Sequence, residues 1–392
     1  MNVLFVNKVS PELGGGAEAR ILEVGKRLVK RGCNVYVLCA TTDPSLRGSK
    51  NIDGINITFI KTCPKFILKS DTLGFHASRI FFYLSPLKKL ENIIAQNKID
   101  VIIEDVSPTL NPWISKIAKR YNVPLIFSIH EVFENISTWT QFYGFYGLWG
   151  YIFEKKIRER KINYQRIITV AKWVWSSLAR DIPECLIDVI PNGVDLDKFK
   201  PIKKTKNDII RMLNVGRFVS HKGHIYLLKA IKILLSYRSD FILHLVGTGP
   251  LLPQMKKISD EIGINKNVVF HGYVADDKLL ELYSRSDIFI LPSIIEGLPV
   301  VILEAMAMGL PIVSTRIAAI NGILDENNAV MVEPANPLSL ANGIMKIINN
   351  ERLRERLSRI VRNEAVERFD WEKISDINFS SLSEVIICTH TK

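Results

Sequence analysis

Residues 292–309, PSIIEGLPVVILEAMAMG, hold two glutamates, Glu296 and Glu304, with seven residues between them. The first sits in a loop-like Ser293–Glu296–Gly297 segment. The second is embedded in VVILEAMAM, an apolar run too long for one strand. Pro299 suits the first turn of a helix, where its missing N–H costs nothing. A helix over residues 299–308 would stop at Gly309, a natural left-handed cap. Glu296 then lies at the helix mouth, and Glu304 about 8 Å further along.

A helix N-terminus offers unpaired N–H groups and partial positive charge, which suit a phosphate. An ionised carboxylate accepts hydrogen bonds from vicinal hydroxyls. Carboxylates on both sides of a phosphate site fit a ligand with hydroxyls on both sides of a diphosphate, as in a nucleotide-sugar. The plain alternative is a loop glutamate followed by a surface residue of an amphipathic helix. Against it stands the apolar setting of Glu304, where a lone carboxylate is expensive.

Outward from this stretch, the second half alternates strands with helical patterns. Strands are predicted over residues 210–216, 242–247, 268–271, 288–291, 312–314 and 330–332. After the first comes NVGRFVSHKGH, which places Arg217 and Lys222 beyond a strand's carboxyl end. A guanidinium fork and an ammonium point charge there suit a diphosphate; two solvated loop cations are the alternative. Gly247, in VGTGP, marks another turn at a strand end.

The first half shows the same alternation, with strands over residues 3–6, 35–39, 55–60, 101–103, 124–129, 167–170 and 187–191. Gly14, Gly15 and Gly16 open a helix over residues 17–31, without the G-x-G-x-x-G dinucleotide fingerprint. The glycines permit close backbone approach to a bulky group. His130 stands at the carboxyl end of a strand, where open α/β sheets bind ligands. Residues 61–90 interleave Lys61, Lys65, Lys69 and Arg79 with Phe66, Phe75, Phe81 and Phe82. Such a segment is either a helix with aromatics in the core or a membrane-interface element. Asn192–Gly193 is a turn signal, and residues 200–207 are a basic, polar linker at which the alternation restarts.

Composition sets the bounds. The 392 residues suffice for two domains with substantial cores. Net charge is +12, and the first 200 residues carry 28 Lys and Arg against 19 Asp and Glu. That asymmetry suits an anionic membrane surface, an anionic acceptor or nucleic acid. The five cysteines, Cys33, Cys39, Cys63, Cys185 and Cys388, are scattered and lack C-x-x-C spacing. They indicate a reducing compartment, with neither a disulfide framework nor zinc. With no signal peptide or long apolar run, a cytoplasmic, soluble or peripherally bound protein is expected.

Together, GGGAE (14–18), SIHE (128–131), PNGVD (191–195), VGRFVSHKG (215–223), VGTGP (246–250), PSIIEGLPVVILEAMAMGLPIV (292–313) and RFDWEKI (368–374) resemble the retaining glycosyltransferases of family 4. The E-x7-E pattern joined to EAMA-x-G-x-P is the specific part, and the likeness covers nearly the whole chain. It implies the GT-B fold: α/β, with two Rossmann-like doubly wound domains facing a central cleft. The expected division is an acceptor-binding domain over 1–198, a donor-binding domain over 199–370, and a C-terminal helix over 371–392 returning to the first domain.

The resemblance also implies roles. Gly15 and Gly16 would approach the diphosphate or donor sugar, and His130 would line the reaction centre. Arg217 and Lys222 would neutralise the departing diphosphate. Glu296 would hold hydroxyls of the transferred sugar and Glu304 the ribose diol, while backbone at Tyr273–Val274 would meet the base. Gly247, Gly297 and the N–H groups of Leu298, Val300 and Val301 would complete the donor site; Pro299 cannot donate. No cofactor or metal is expected, the nucleotide-diphosphate-sugar being a co-substrate. The expected partners are that donor, a glycan or lipid-linked acceptor and, at the periphery, an anionic membrane, with no nucleic acid. Ala318–Ala319 and Gly322 depart from the family's usual Gly-Gly and Glu. Two rivals are a sugar-nucleotide epimerase of related fold and a non-catalytic basic membrane- or glycan-binding protein. The intact charged set of Arg217, Lys222, Glu296 and Glu304 argues against both.

Overall fold

The computed structural model describes residues 1–7, 16–41, 46, 48–61, 87–106, 112–130, 145–202 and 209–391. Gly15, residues 62–86 and Glu131 therefore lie outside the described part. The chain forms two compact units, Met1–Asn192 with Glu372–Lys392, and Gly193–Trp371.

The first unit contains β1 (Asn2–Asn7), α1 (Gly16–Lys30), β2 (Asn34–Thr41), β3 (Gly48–Ile52), β4 (Ile55–Lys61), α2 (Leu87–Asn97), β5 (Val101–Val106), α3 (Pro112–Arg120), β6 (Leu125–Ile129), α4 (Phe145–Arg158), β7 (Arg166–Thr169), α5 (Lys172–Leu178) and β8 (Ile187–Val189). The sheet order is β3-β4-β2-β1-β5-β6-β7-β8. The central strands are buried and mainly apolar, as sheets covered on both faces require, with Asn7, Glu104 and Asp105 as buried polar residues at the ends of β1 and β5. The sequence reading missed β3. Its GSKNI is almost wholly exposed and pairs antiparallel with β4 at the sheet's edge, so it has no apolar face to betray it. The signal was the turn: Asp53 and Gly54 both have positive φ, as an Asp-Gly hairpin demands.

The C-terminal helix α12 (Trp371–His390) runs largely in this unit. Arg27 donates to Glu372 at 2.9 Å, Arg31 pairs with Asp376 and donates to Ser375 at 2.6 Å, and Ser381 donates to Asp188 at 2.6 Å.

The second unit contains β9 (Ile210–Val215), α6 (His224–Leu235), β10 (Phe241–Val246), α7 (Leu252–Glu261), β11 (Val268–Gly272), α8 (Asp276–Arg285), β12 (Ile288–Leu291), α9 (Val300–Ala307), β13 (Ile312–Thr315), β14 (Val330–Val332), α10 (Pro337–Ile348) and α11 (Glu351–Arg368). Asn336 and Asn350 cap the last two helices through the N–H groups of Ser339 and Leu353. Every strand pair is parallel, in the order β11-β10-β9-β12-β13-β14. Leu243, Ile290 and Val313 of the sheet pack with Leu227, Ile231 and Ile344 in one core. The strand order reverses between β9 and β12, and the loops leaving these two strands flank the switch point where such sheets bind ligands.

Asn192–Gly193 is not a turn. The chain is extended there, and Val194 bridges Asp370, with its N–H donating to Phe369 O at 2.7 Å. A Cβ on Gly193 would lie 2.5 Å from the Trp371 ring, so the glycine serves close approach. This bridge holds residues 193–198 to the second unit, whereas the sequence reading placed them with the first.

Candidate active site

Past β9 the chain passes Arg217 and makes a short 3-10 turn over Ser220–Lys222. It enters α6 through Gly223, at φ +71. A Cβ on Gly223 would sit 2.0 Å from the carbonyl oxygen of Pro292, so only glycine lets the loop after β9 lie against the loop after β12. The two loops are then joined by Ile294, whose N–H donates to His221 O at 2.7 Å.

That seam brings Lys222 to Glu296. The ammonium donates to both carboxylate oxygens, at 2.6 and 2.7 Å, and Ser293 Oγ donates to Glu296 Oε1 at 2.7 Å. The Glu296 side chain is only 6% exposed, so its charge depends on this neighbour. Arg217 is exposed, and no carboxylate among the described residues pairs with it. The two cations expected to act alike thus differ: one is engaged within the protein and one is open.

Gly297 and the buried Leu298 carry the chain from Glu296 to α9. Pro299 is the N-cap, without a side-chain cap, and the helix ends before Gly309, at φ +64. The backbone N–H groups of Val300 and Val301 donate to no backbone partner among the described residues. They are the open donors expected at a helix start.

Glu304 lies on α9 one helical stretch further. Tyr283 Oη donates to its Oε2 at 2.7 Å. Tyr283 is fully buried, stacked on Phe289 and edge-on to Phe199. Burial pushes the Glu304 carboxyl above its ordinary value, while the Tyr283 hydrogen bond and the Lys198 charge pull it back. The Tyr283 phenol is driven well up, by burial first and by Glu304 second. Lys198 itself pairs with Asp276 at 2.6 Å.

At the end of β10, Gly247 donates its N–H to Gly272 O at 2.8 Å, tying the loops after β10 and β11. Tyr273 is 82% exposed and Val274 half-buried. Beneath them His244 Nδ1 and His271 Nε2 are 3.0 Å apart. Burial, with His271 beside it, lowers His244 to about 4.

In the first unit His130 follows β6 directly. Its Nε2 is 3.0 Å from Asp105 Oδ1 on β5 and 3.1 Å from Ser128 Oγ. Gly16 is the first residue of α1.

The family profile described as Glycosyltransferase Family 4 matches residues 14–198, and that described as Glycosyl transferases group 1 matches residues 195–364. Between them they span both units. The chain belongs to the family-4 glycosyltransferases. An uncharacterised glycosyltransferase of Methanocaldococcus jannaschii is 26% identical over 93% of each chain. The sucrose-phosphate synthase of Thermosynechococcus elongatus superposes with a TM-score of 0.82 at 19% identity, covering 99% of both chains. Anabaena HepE, solved in complex with UDP-glucose, gives 0.74 at 18% identity, over 98% of this chain and all of that one. These likenesses give this glycosyltransferase the two-domain α/β GT-B fold.

Several residues that contact the candidate site residues were not found by sequence reasoning. Ser293, three positions before Glu296, was visible only as a loop residue. Tyr283 reads as an ordinary core aromatic of an amphipathic helix, and its hydroxyl declares itself only beside Glu304. Asp105 lies two residues beyond the strand predicted over 101–103, on the part of β5 that the prediction left out, with no local motif to single it out.

Proposed function

We propose that this glycosyltransferase moves a sugar, with retention, from a nucleotide-diphosphate-sugar to a glycan or lipid-linked acceptor, and that it needs no metal to do so. The observation that carries the reading is the Lys222–Glu296 pair at the switch point. Arg217, on the loop that carries Lys222, is exposed, and the N–H groups of Val300 and Val301 begin the helix that follows Glu296.

Cations and helix N–H groups suit the diphosphate, and carboxylates suit the rings on either side of it. In this reading Arg217 and Lys222 hold the diphosphate, with Val300, Val301 and the Gly297–Leu298 backbone around it. Glu296 takes hydroxyls of the transferred sugar and Glu304 takes the ribose diol, while the backbone at Gly247 and Tyr273–Val274 serves the base. His130 and Gly16, with Gly15, attend the sugar. The bond from the anomeric carbon to the leaving phosphate oxygen breaks as the acceptor oxygen attacks the same face. The acceptor's proton passes to the leaving phosphate. Positive charge placed where negative charge develops is the largest lever available to such a site. The UDP-glucose bound by HepE supports a nucleotide-sugar as the donor.

The test is a panel of nucleotide-sugars, read by thermal shift, by slow donor hydrolysis, and by NMR of the product anomer with and without EDTA. The reading expects one nucleoside class to raise Tm and to be turned over with retained configuration in EDTA. A panel that neither binds nor reacts, an inverted product, or activity abolished by EDTA would overturn the corresponding part.

A further inference from the structure

Asp105 is buried, with a side chain 4% exposed, and its Oδ1 makes no well-aligned hydrogen bond among the described residues. A buried carboxylate oxygen so placed is expensive and calls for a reason. Two groups face it. The His130 ring nitrogen Nε2 stands 3.0 Å away, and Arg20 lines the same small cavity, together with Ser128 and Asn378.

Arg20 is itself buried and tightly held. Its guanidinium donates to Pro191 O at 2.7 Å, to Asn192 Oδ1 at 3.3 Å and to Asn378 Oδ1 at 3.2 Å. All three acceptors are neutral, and burial lowers Arg20 to about 10 while Asp105 raises it. Asn378 is fixed in turn by its own amide, which donates to Ile374 O at 2.8 Å within α12. The returning C-terminal helix thus anchors the cation that faces Asp105.

The consequence falls on His130. A neutral imidazole carries its proton on one nitrogen, and its neighbours choose which. Ser128 Oγ, 3.1 Å from Nε2, can either donate to a lone pair there or accept an N–H, so it does not choose between the forms. Asp105 does: a lone pair on Nε2 would face its carboxylate oxygen at 3.0 Å, whereas an N–H there is attracted to it. Nδ1 is then left with the lone pair, as an acceptor for a hydroxyl.

We propose that Asp105 is a positioning residue for His130, holding the ring in its Nε2–H form so that Nδ1 accepts from a hydroxyl of the bound sugar. Arg20, steadied by Asn378, supplies a positive charge in the cavity that the carboxylate shares. This rests on the assignment of His130 to the sugar, and the experiment separates the two.

Nitrogen-15 spectra of the histidines in the intact protein report the tautomer directly, the His130 signals being identified by their loss in His130→Gln. The wild-type ring is expected as Nε2–H at neutral pH; an Nδ1–H ring overturns the proposal without need of any Asp105 variant. Asp105→Ala is expected to lower kcat about tenfold or more with the donor KM within about twofold, and to mix the tautomers. In the His130→Gln background the same change is expected to add little. If His130→Gln is impaired while Asp105→Ala keeps its kcat, the positioning role fails and the sugar assignment stands. If His130→Gln has full activity, the sugar assignment fails as well.

Discussion

Lys222 reaches both carboxylate oxygens of Glu296, at 2.6 and 2.7 Å, across two loops that leave neighbouring strands of one parallel sheet. In the proposed donor site the pair is its own counter-charge. If Lys222 neutralises the leaving group as proposed, replacing it by Ala is expected to cut turnover by roughly 10²–10³-fold. It also strands a buried carboxylate, at a cost of about 3 kcal/mol. Lys222→Ala should therefore melt early, whereas Lys222→Ala with Glu296→Gln should recover most of the Tm and none of the activity. Activity returning with stability would show that Lys222 only supports the fold.

If Lys222 holds the diphosphate as proposed, the same pairing makes Glu296 its competitor. With Glu296→Gln, Lys222 is released from a bidentate contact. The nucleoside diphosphate without its sugar is then expected to bind more tightly, while kcat for the intact donor falls. Calorimetry with the nucleoside diphosphate decides it: weaker binding would place Glu296 on the phosphate side of the site and remove it from the sugar.

Glu304 carries a stability cost that a ligand would offset. Its carboxyl is raised by burial, so the folded state holds the proton more firmly than the unfolded chain. Stability from this group is whole below the ordinary glutamate value and is lost as pH rises through the raised one. At neutral pH Glu304→Gln should therefore raise the Tm of the ligand-free protein. It should also weaken donor binding roughly tenfold or more, since a hydrogen bond to a charged acceptor is lost. Melting curves and calorimetry on one pair of samples test both halves. A lower Tm in Glu304→Gln would mean that the carboxylate serves Tyr283 and the fold.

Alternation of apolar runs and helical patterns was enough to read thirteen of the strands in order, because nearly every parallel strand is built round a short run of Val, Ile, Leu or Phe. The exception, β3, is polar and exposed, and only the Asp53–Gly54 pair could have announced it. Helix α9 was legible to within a residue, since Pro299 and Gly309 punctuate it from both ends. The Lys222–Glu296 contact was not, because it depends on how closely the loops after β9 and β12 approach. That approach is set by Gly223, a glycine that reads as any other until a Cβ is placed on it. Asn192–Gly193 misled for the complementary reason: its glycine makes room for Trp371, far along the chain, and not for a turn.

The basic, aromatic segment over residues 61–90 lies mostly outside the described part, but its last residues begin α2, where Lys88 and Lys89 are exposed. Among the described residues no helix is long and apolar enough to cross a membrane. If the segment meets an anionic surface, the attraction is screened within about 10 Å at 0.1 M salt. The protein is then expected to pellet with phosphatidylserine-containing vesicles at low salt and to be released at high salt. Replacing Lys65, Lys69 and Arg79 by Ser should abolish pelleting and leave the Tm unchanged. Failure to pellet at low salt would assign the aromatics to the core.

His224 links the same loop to pH. It begins α6 beside Lys222, its ring stacks on Phe218 at 4.1 Å, and its buried Nε2 has no hydrogen-bond partner among the described residues. Burial, then the charge of Lys222, lowers it to about 4. The unfolded chain takes up this proton near pH 6.5 and the folded one only near 4, so between those values the unfolded state binds more protons. Stability from this group is whole above pH 6.5 and is lost as pH falls toward 4, about 3 kcal/mol in all. Tm should drop across that window, and His224→Gln should flatten the drop, leaving the parts due to His221, His244 and His271, which burial also lowers. Because Lys222 follows the loop that His224 anchors, donor binding by the wild type should fall with Tm over the same window. An identical Tm–pH curve in His224→Gln would show that the ring is protonated at no cost to the fold, and would break the link between this histidine and the donor loop.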